Sequence, residues 1–174
     1  MAVEVHLEEV RIVVDLLRAG LSVSAANGKL GKFIRLEPSD LSEDEKAILG
    51  AALFEASPER IEMLLSTVYS APETRLFGLL NEHTVVAIAG IRKLNDSRAE
   101  LIHIAVNQTE RRRGFGSELI HWFIQAERLT ELSVETDNDA VEFYKRCGFS
   151  TWSLGEQYPG VERFACRWSQ GELT

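Results

Sequence analysis

The sequence has few of the residues that build disulfide frameworks and metal sites. Of its 174 residues only two are cysteines, Cys147 and Cys166, which lie 19 positions apart and form no CxxC pair. The four histidines are scattered and show neither the HxxxH nor the HExxH spacing by which a helix binds zinc. We therefore expect both cysteines to be reduced and buried, and we expect no metal site.

Long apolar runs are absent from the sequence, and basic residues are in the minority. No segment approaches the roughly 18 apolar residues of a membrane span, and Glu4, Glu8 and Glu9 interrupt the positions where a secretory signal would be apolar. Lys and Arg number 19 against 27 Asp and Glu. This balance disfavours nonspecific binding to nucleic acid, which depends on many basic contacts to phosphates. We expect a cytoplasmic protein that binds neither membrane nor nucleic acid.

The residues that are present predict one folded domain of mixed secondary structure. Strands at 75–80, 84–93 and 99–106 are separated by turn-forming residues and should form an antiparallel meander. The later order of helix, strand, helix and hairpin adds a crossover, which indicates an α/β or α+β fold with helices on both faces of a mixed sheet. The other predicted elements are a strand at 33–36, helices at about 42–55, 58–69, 114–128 and 138–147, a strand at 131–135, and a hairpin that turns at Tyr158-Pro159-Gly160.

The first 32 residues are predicted to be a helical extension ahead of a main domain at 33–174. Apolar residues between Leu7 and Leu17 recur at helical spacing, and Gly20 suits the C-terminal cap of a helix. Residues 28–32, rich in Gly and Lys, are expected to connect this helix to the first strand. The pattern leaves three roles open for the helix, which are packing on the sheet, covering a cleft, or forming a homodimer contact.

The segment RRRGFG at residues 111–116 lies between a predicted strand and a predicted helix. A helix N-terminus carries unpaired N–H groups and about half a positive charge, so three arginines beside it are unfavourable unless an anion binds there. Gly114 and Gly116 allow the backbone to approach a phosphate closely. The segment is therefore either an anion-binding loop or a solvated arginine run paired with acids such as Glu110.

Two common phosphate-binding motifs do not fit this segment. A P-loop requires G-x-x-x-x-G-K-[ST], and the segment has neither the spacing nor the lysine. A Rossmann site requires a third glycine where this chain has Leu119, and a glycine turn closer to the preceding strand than Gly114 is to Val106. Both interpretations are therefore disfavoured.

Three motifs, in the same order along the chain, resemble the GNAT superfamily of N-acetyltransferases. Arg111-x-x-Gly114-x-Gly116 looks like its [QR]-x-x-G-x-[GA] acyl-CoA loop, residues 100–106 resemble its fourth strand, and residues 137–149 resemble its late N-x-x-A-x-x-F-Y-x-x-x-G-F helix. The resemblance covers about residues 75–168. It implies a mixed, mostly antiparallel, twisted sheet of about seven strands, with acetyl-CoA as co-substrate.

The resemblance also implies which residues bind the cofactor. The pyrophosphate would accept N–H bonds from the glycine loop, and the pantetheine would pair with the backbone of the fourth strand. The family's usual Asn is Asp137 here, which has no amide N–H to donate, so Asn138 is the candidate to replace it. The implied cofactor-binding residues are Ile104, Ala105, Val106, Arg111, Arg112, Arg113, Gly114, Phe115, Gly116, Ser117 and Asn138.

Two residues match catalytic positions of the family. Tyr144 would protonate the departing thiolate, although its place on an apolar helix stripe also suits a core residue. Glu100 would act as general base, although a strand-end Glu paired with Arg98 or Lys93 is also expected from its neighbours. His103 should lie on the opposite face of the strand from Glu100, because side chains alternate along a strand, and is expected to be a packed or surface histidine.

The motifs together predict an N-acetyltransferase that moves an acetyl group from acetyl-CoA to a primary amine by direct transfer. The amine belongs to a small molecule or a protein, and the sequence does not identify it. The alternative is a noncatalytic, regulatory module that binds acyl-CoA and lacks an amine site. The difference lies in transfer to an amine, which only the enzyme would perform.

Overall fold

A computed structural model describes residues 23–26 and 29–171, which form eight strands and four α-helices. The predicted helix near residues 5–19 lies outside the described residues. The strands are β1 (Val23–Ala26), β2 (Lys29–Leu36), β3 (Thr74–Asn81), β4 (Thr84–Lys93), β5 (Arg98–Val106), β6 (Glu131–Asp137), β7 (Ser150–Tyr158) and β8 (Val161–Ser169), and the helices are α1 (Glu43–Gly50), α2 (Pro58–Thr67), α3 (Phe115–Ala126) and α4 (Val141–Arg146).

All eight strands belong to one sheet in the order β1-β2-β3-β4-β5-β6-β8-β7. Neighbouring strands are antiparallel except β5 and β6, which are parallel. Helices α3 and α4 pack on one side, here called the α3 face, and helices α1 and α2 pack on the other, the α1 face. The predicted mixed, mostly antiparallel sheet with helices on both faces is confirmed.

The sheet begins earlier in the chain than the sequence indicates. Strand β2 begins at Lys29, so the expected connection at 28–32 is wrong from Lys29 onward. Its residues pair with β1 on one side, and Lys32 is paired with Leu80 of β3 on the other. Pairing with β1 therefore outweighs the turn-forming composition at residues 29–31, and this hairpin adds an eighth strand.

Local signals fix where the helices begin. Ser42 caps α1 in a capping box with Glu45, and Ser57 caps α2 just before Pro58. Helix α1 ends at Gly50 rather than near residue 55. Helix α4 begins at Val141 rather than near 138, because the preceding segment forms a turn in which Asp137 accepts a hydrogen bond from the chain.

The parallel pair of strands separates partway along its length. Strands β5 and β6 pair only from Arg98 to Glu100 and from Glu131 to Ser133 among the described residues. Strand β5 continues to Val106, while β6 keeps its pairing with β8 as far as Asp137. The unpaired edges therefore border a cleft in the middle of the sheet.

Candidate active site

A cavity of about 800 Å³ occupies this cleft. Its walls are the unpaired parts of β5 and β6, the start of α3 and one side of α4. Ala51 and Ala52, which follow α1, also line it, so the cavity is open to both faces of the sheet. Ten of the predicted site residues line it, namely Ile104, Ala105, Val106, Arg111, Arg112, Gly114, Phe115, Gly116, Ser117 and Tyr144. Three of the predicted residues, Glu100, Arg113 and Asn138, are not part of its lining.

Helix α3 presents its N-terminus to this cavity without a side-chain cap. Gly114 is the N-cap residue, with a φ of 90° that favours glycine. The first helical hydrogen bond is donated by the N–H of Glu118 to the carbonyl of Gly114, at 3.0 Å. The N–H groups of residues 115–117 therefore have no carbonyl within the helix to bind, and the helix dipole adds partial positive charge there.

Gly116 lies where a side chain would be crowded. A Cβ atom at this position would be 3.3 Å from the Phe143 ring and 3.4 Å from Cγ2 of Val106. Glycine here allows the first turn of α3 to pack closely against α4 and β5. The same absence of a side chain leaves the backbone N–H groups accessible from the cavity.

The three arginines of the loop have different surroundings. Arg113 forms an ion pair with Glu110, as the solvated-run interpretation expects, and lies over the Phe115 ring at 5.3 Å. The Nε of Arg111 donates a hydrogen bond to the carbonyl of Val106 at 3.2 Å, which ties the loop to the end of β5. Arg112 is exposed and adopts a left-handed φ of 63°. Arg111 and Arg112 line the cavity, so they are the two arginines placed to add positive charge to it.

Tyr144 is buried beside the cavity, with 5% of its surface exposed. Its ring makes edge contacts with Phe143 and Phe149, at centroid distances of 5.1 and 5.5 Å. Burial raises the pKa of Tyr144, and nearby Cys166, Cys147 and Asp137 raise it further. The phenol is therefore protonated at neutral pH. No described residue hydrogen-bonds its hydroxyl, which can donate to a molecule in the cavity.

A β-bulge changes which residues of β5 share a face. Gly90 is paired with His103, and the next residue, Ile91, is paired with Leu101, so Ile102 is an extra residue in β5. Leu101 and Ile104 consequently both pack on the α3 face although they are three positions apart. The expectation that His103 and Glu100 lie on opposite faces is therefore wrong, and both lie on the α1 face.

His103 lines the cavity. Its ring contacts Tyr69, which follows α2 in the chain. The Tyr69 hydroxyl and Nδ1 of His103 are 2.9 Å apart. Tyr69 itself lies over Gly90, where a Cβ atom would be 1.7 Å from its hydroxyl. Burial lowers the pKa of His103, and the positive charge of Arg92 lowers it further, so the imidazole is neutral at pH 7. Burial raises the pKa of Tyr69.

Glu100 forms an ion pair with Arg92 on the neighbouring strand. Arg92 Nη1 and Glu100 Oε2 are 3.0 Å apart, and the two side chains are 40% and 38% exposed. The expected pairing with Arg98 or Lys93 is wrong, since those residues pair with Glu131 and Glu127 instead. Register explains the difference, because Arg92 lies directly opposite Glu100 in the sheet.

The turn before α4 gives Asp137 and Asn138 different surroundings. Asp137 lines the cavity, and its Oδ1 accepts a hydrogen bond from the N–H of Asp139 at 3.1 Å. Asn138 is exposed. Asp137 thus orders the turn.

Both cysteines are free and buried, as the sequence predicts. Cys147 lines the cavity and its thiol donates to Ser117 Oγ at 3.5 Å, while burial raises the pKa of the thiol.

Among the described residues no three His, Cys, Asp or Glu side chains are grouped to hold a metal ion. None of the helices in the described part is long and apolar enough to span a membrane.

Sequence reasoning missed the pairing of His103 with Tyr69. The two residues are 34 positions apart, and only the bulge at Ile102 turns His103 toward Tyr69. The available signal was Gly90 inside a strand otherwise rich in larger apolar residues, because such a glycine often marks a bulge or a close approach.

The cleft has features suited to acyl transfer, and the comparison with known families shows that the chain is an acyltransferase. The chain belongs to the acetyltransferase (GNAT) family, whose sequence profile matches residues 39–149. No curated protein sequence matches the chain significantly.

Solved structures of this family share the fold. The ribosomal-protein-S18-alanine N-acetyltransferase from Escherichia coli is 21% identical, with a TM-score of 0.64 over 83% of this chain and 98% of that one. Ard1 from Thermoplasma volcanium is 21% identical, with a TM-score of 0.62 over 80% of this chain and 97% of that one. A GNAT acetyltransferase from Elizabethkingia anophelis with acetyl-CoA bound is 14% identical, with a TM-score of 0.57 over 80% and 97%.

Proposed function

We propose that this protein transfers an acetyl group from acetyl-CoA to a primary amine while both substrates are bound. The observation that carries the proposal is one cavity lined both by the uncapped start of α3 and by Tyr144. The first suits the anionic end of a nucleotide cofactor, and the second suits its reactive end. Family membership and the fold it shares with the Elizabethkingia anophelis enzyme support the same conclusion.

The residues present fit acetyl-CoA. Phosphate oxygens would accept N–H bonds from residues 115–117, with Arg111 and Arg112 adding charge at the loop. The unpaired edge of β5 at residues 104–106 offers backbone groups to the amide-containing arm of the cofactor, as an added strand would use them. When bound, acetyl-CoA supplies an activated thioester carbonyl and a thiol leaving group.

Acetyl transfer imposes a definite proton balance. An ammonium that becomes an amide loses two protons, the leaving sulfur gains one, and one proton is released overall. Tyr144 would donate its phenolic proton to the sulfur, and the phenolate that remains would regain a proton from the acylated nitrogen. A backbone N–H of β5 directed at the carbonyl oxygen would stabilise its developing charge by about 3 kcal/mol.

The first prediction is that the protein releases free CoA thiol only when acetyl-CoA and an acceptor amine are both present. The assay uses a thiol reagent and a panel of a peptide with N-terminal Ala, an N-terminally blocked peptide with one Lys, spermidine and tyramine. The peptide with N-terminal Ala is included because the Escherichia coli neighbour is named for an alanine acceptor. Mass spectrometry should show one added acetyl group on the acceptor that responds.

Three results separate the alternatives. Thiol release with a matching acetylated amine supports transfer. Binding of acetyl-CoA without transfer across the panel, and across a lysate searched for acetylated products, would favour the noncatalytic module. A folded protein that does not bind acetyl-CoA at millimolar concentration contradicts both.

A further inference from the structure

We infer that His103 is the catalytic base, which accepts a proton from the acceptor amine, and that Tyr69 positions its ring for that step. The inference rests on the proposed acetyl transfer and names the residue that would perform its proton abstraction. It also differs from the expectation drawn from the family resemblance, which gives this role to Glu100.

Position is the first argument. The bulge at Ile102 turns His103 into the cavity on the α1 face, where Ala51 also lines it. Tyr144 belongs to the core of the α3 face. The proton acceptor and the proton donor therefore lie on opposite sides of the cleft, which matches an amine that approaches the thioester from one side while the sulfur departs on the other.

The hydrogen bond to Tyr69 is the second argument. When Nδ1 carries the hydrogen and donates it to the Tyr69 oxygen, Nε2 holds the lone pair and can accept a proton. After that transfer both ring nitrogens carry hydrogen, and the Nδ1–H bond to Tyr69 is kept. Gly90 makes this possible, because any side chain there would displace the Tyr69 hydroxyl.

The charges around His103 are the third argument. Tyr69 hydrogen-bonds to its ring and Arg92 from β4 acts on its charge, while Glu100 from β5 forms an ion pair with Arg92. Arg92 and burial both disfavour the imidazolium, so the ring is neutral and ready to accept a proton at pH 7. Glu100 offsets part of the Arg92 charge. Glu100 is therefore assigned to charge balance and to the positioning of Arg92.

The proton transfer balances as follows. One N–H bond of the acceptor ammonium breaks, its electron pair stays on the amine nitrogen, and a new N–H bond forms at Nε2 of His103. The imidazolium then releases this proton to solvent, and it is the one proton that the whole reaction releases. The amine nitrogen thereby gains the lone pair that it needs to attack the thioester carbonyl.

The second prediction is that His103→Asn lowers kcat by about 100-fold or more, while the Kd for acetyl-CoA changes by less than about twofold. Asn keeps an N–H near the Nδ1 position, so the contact with Tyr69 is retained. The matched control is His121→Asn on the exposed side of α3, which should leave kcat and Kd unchanged. In His103→Ala, added imidazole should restore part of the lost rate.

Two readouts test the role of His103 beyond loss of rate. The kcat/KM of the wild-type protein should fall below an apparent pKa lower than 6.5, and this limb should be absent in His103→Asn. A proton NMR titration of the histidine resonances should give the same pKa in the absence of turnover. The His103 resonance is identified as the one that is missing in His103→Asn. Tyr69→Phe should shift that pKa lower still, because it removes the acceptor of Nδ1–H, and should reduce kcat by about three- to tenfold.

The outcomes distinguish this inference from the proposed function. Wild-type transfer that survives in His103→Asn at more than about one third of its rate overturns the role of His103. If Glu100→Gln lowers kcat by about 100-fold and His103→Asn does not, the base is Glu100. A wild-type protein that neither binds acetyl-CoA nor acetylates any amine overturns both proposals.

Discussion

Two buried tyrosines lie beside the cleft, and their hydroxyl groups have different surroundings. The Tyr69 hydroxyl is 2.9 Å from Nδ1 of His103. The Tyr144 hydroxyl has no partner among the described residues, although Tyr144 lines the cavity. Burial raises the pKa of both phenols, so both are protonated at neutral pH. Tyr144 is therefore free to donate a proton, whereas Tyr69 is engaged with His103.

The third prediction concerns Tyr144 alone. Tyr144→Phe removes the hydroxyl and keeps the ring contacts with Phe143 and Phe149, so it should reduce kcat by about 10- to 100-fold with little change in the Kd for acetyl-CoA. The matched control is Tyr158→Phe, a tyrosine that is 69% exposed in the last hairpin. Stopped-flow and calorimetric measurements give the two constants, and an unchanged kcat would reject the acid role.

The placement of the proposed site residues was partly predictable from the sequence. Tyr144 and the glycine loop fall into recognisable motifs, and the structure brings them to one cavity. The partner of Glu100 was not readable, because the sequence shows which charges are near along the chain and not which lie across the sheet. Arg92 is eight positions away from Glu100 and directly opposite it.

At the scale of elements, the start of α3 and the end of β5 together form the part of the proposed site that would bind an anion. Gly114 supplies the left-handed N-cap, and Arg111 ties the loop to the carbonyl of Val106. Arg113 is already paired with Glu110, so much of its charge is offset. The geometry thus assigns more of the binding to backbone N–H groups than to arginine side chains.

The fourth prediction compares the backbone with the side chains of this loop. Gly116→Val should weaken acetyl-CoA binding by about tenfold or more, because even its Cβ would be 3.3 Å from the Phe143 ring. Arg112→Ala removes one exposed charge and should weaken acetyl-CoA binding by less than about fivefold. Calorimetry gives both Kd values, with Gly116→Ala as an intermediate step and a melting curve for each variant.

Equal losses in Gly116→Val and Arg112→Ala would contradict this account and indicate a purely electrostatic site. In that case the affinity of the wild-type protein should also fall steeply with salt. A Gly116→Val protein that melts like the wild type and still loses affinity would place the effect at the loop itself.

Elements with local signals were predicted well. Strand β4 spans the predicted residues 84–93, and the Ser57-Pro58 pair marks the start of α2. The β-bulge was not predictable in the same way, because it depends on how two strands pair. The extension of β2 back to Lys29 has the same origin, since pairing with β1 outweighed local composition.

At the scale of the whole molecule, one split in the sheet organises the site. The sheet continues without a break from β1 to the paired part of β5, and again from β6 to β7, while the unpaired edges of β5 and β6 face the cavity. The α3 face contributes the helix start and Tyr144, and the α1 face contributes His103. Nothing in the local sequence of β5 or β6 shows where their pairing stops, so the cleft itself was not predicted; the family resemblance implied only that the cofactor pairs with the backbone of the fourth strand.

Charge is distributed unevenly over the whole molecule. The chain carries a net charge of −8, whereas the loop at 111–113 is a run of three arginines, of which Arg111 and Arg112 line the cavity. An anionic cofactor is thus attracted to the loop and repelled by much of the remaining surface. This pattern favours one binding orientation, with the phosphates at α3.

The fifth prediction tests the central claim that this cleft is an acetyl-CoA site. Calorimetric titration of the folded wild-type protein with acetyl-CoA should show saturable binding of one molecule per chain, well below millimolar concentration, and Gly116→Val should weaken it. Absence of any heat of binding at millimolar acetyl-CoA, with a cooperative melting curve for the same sample, would contradict the account.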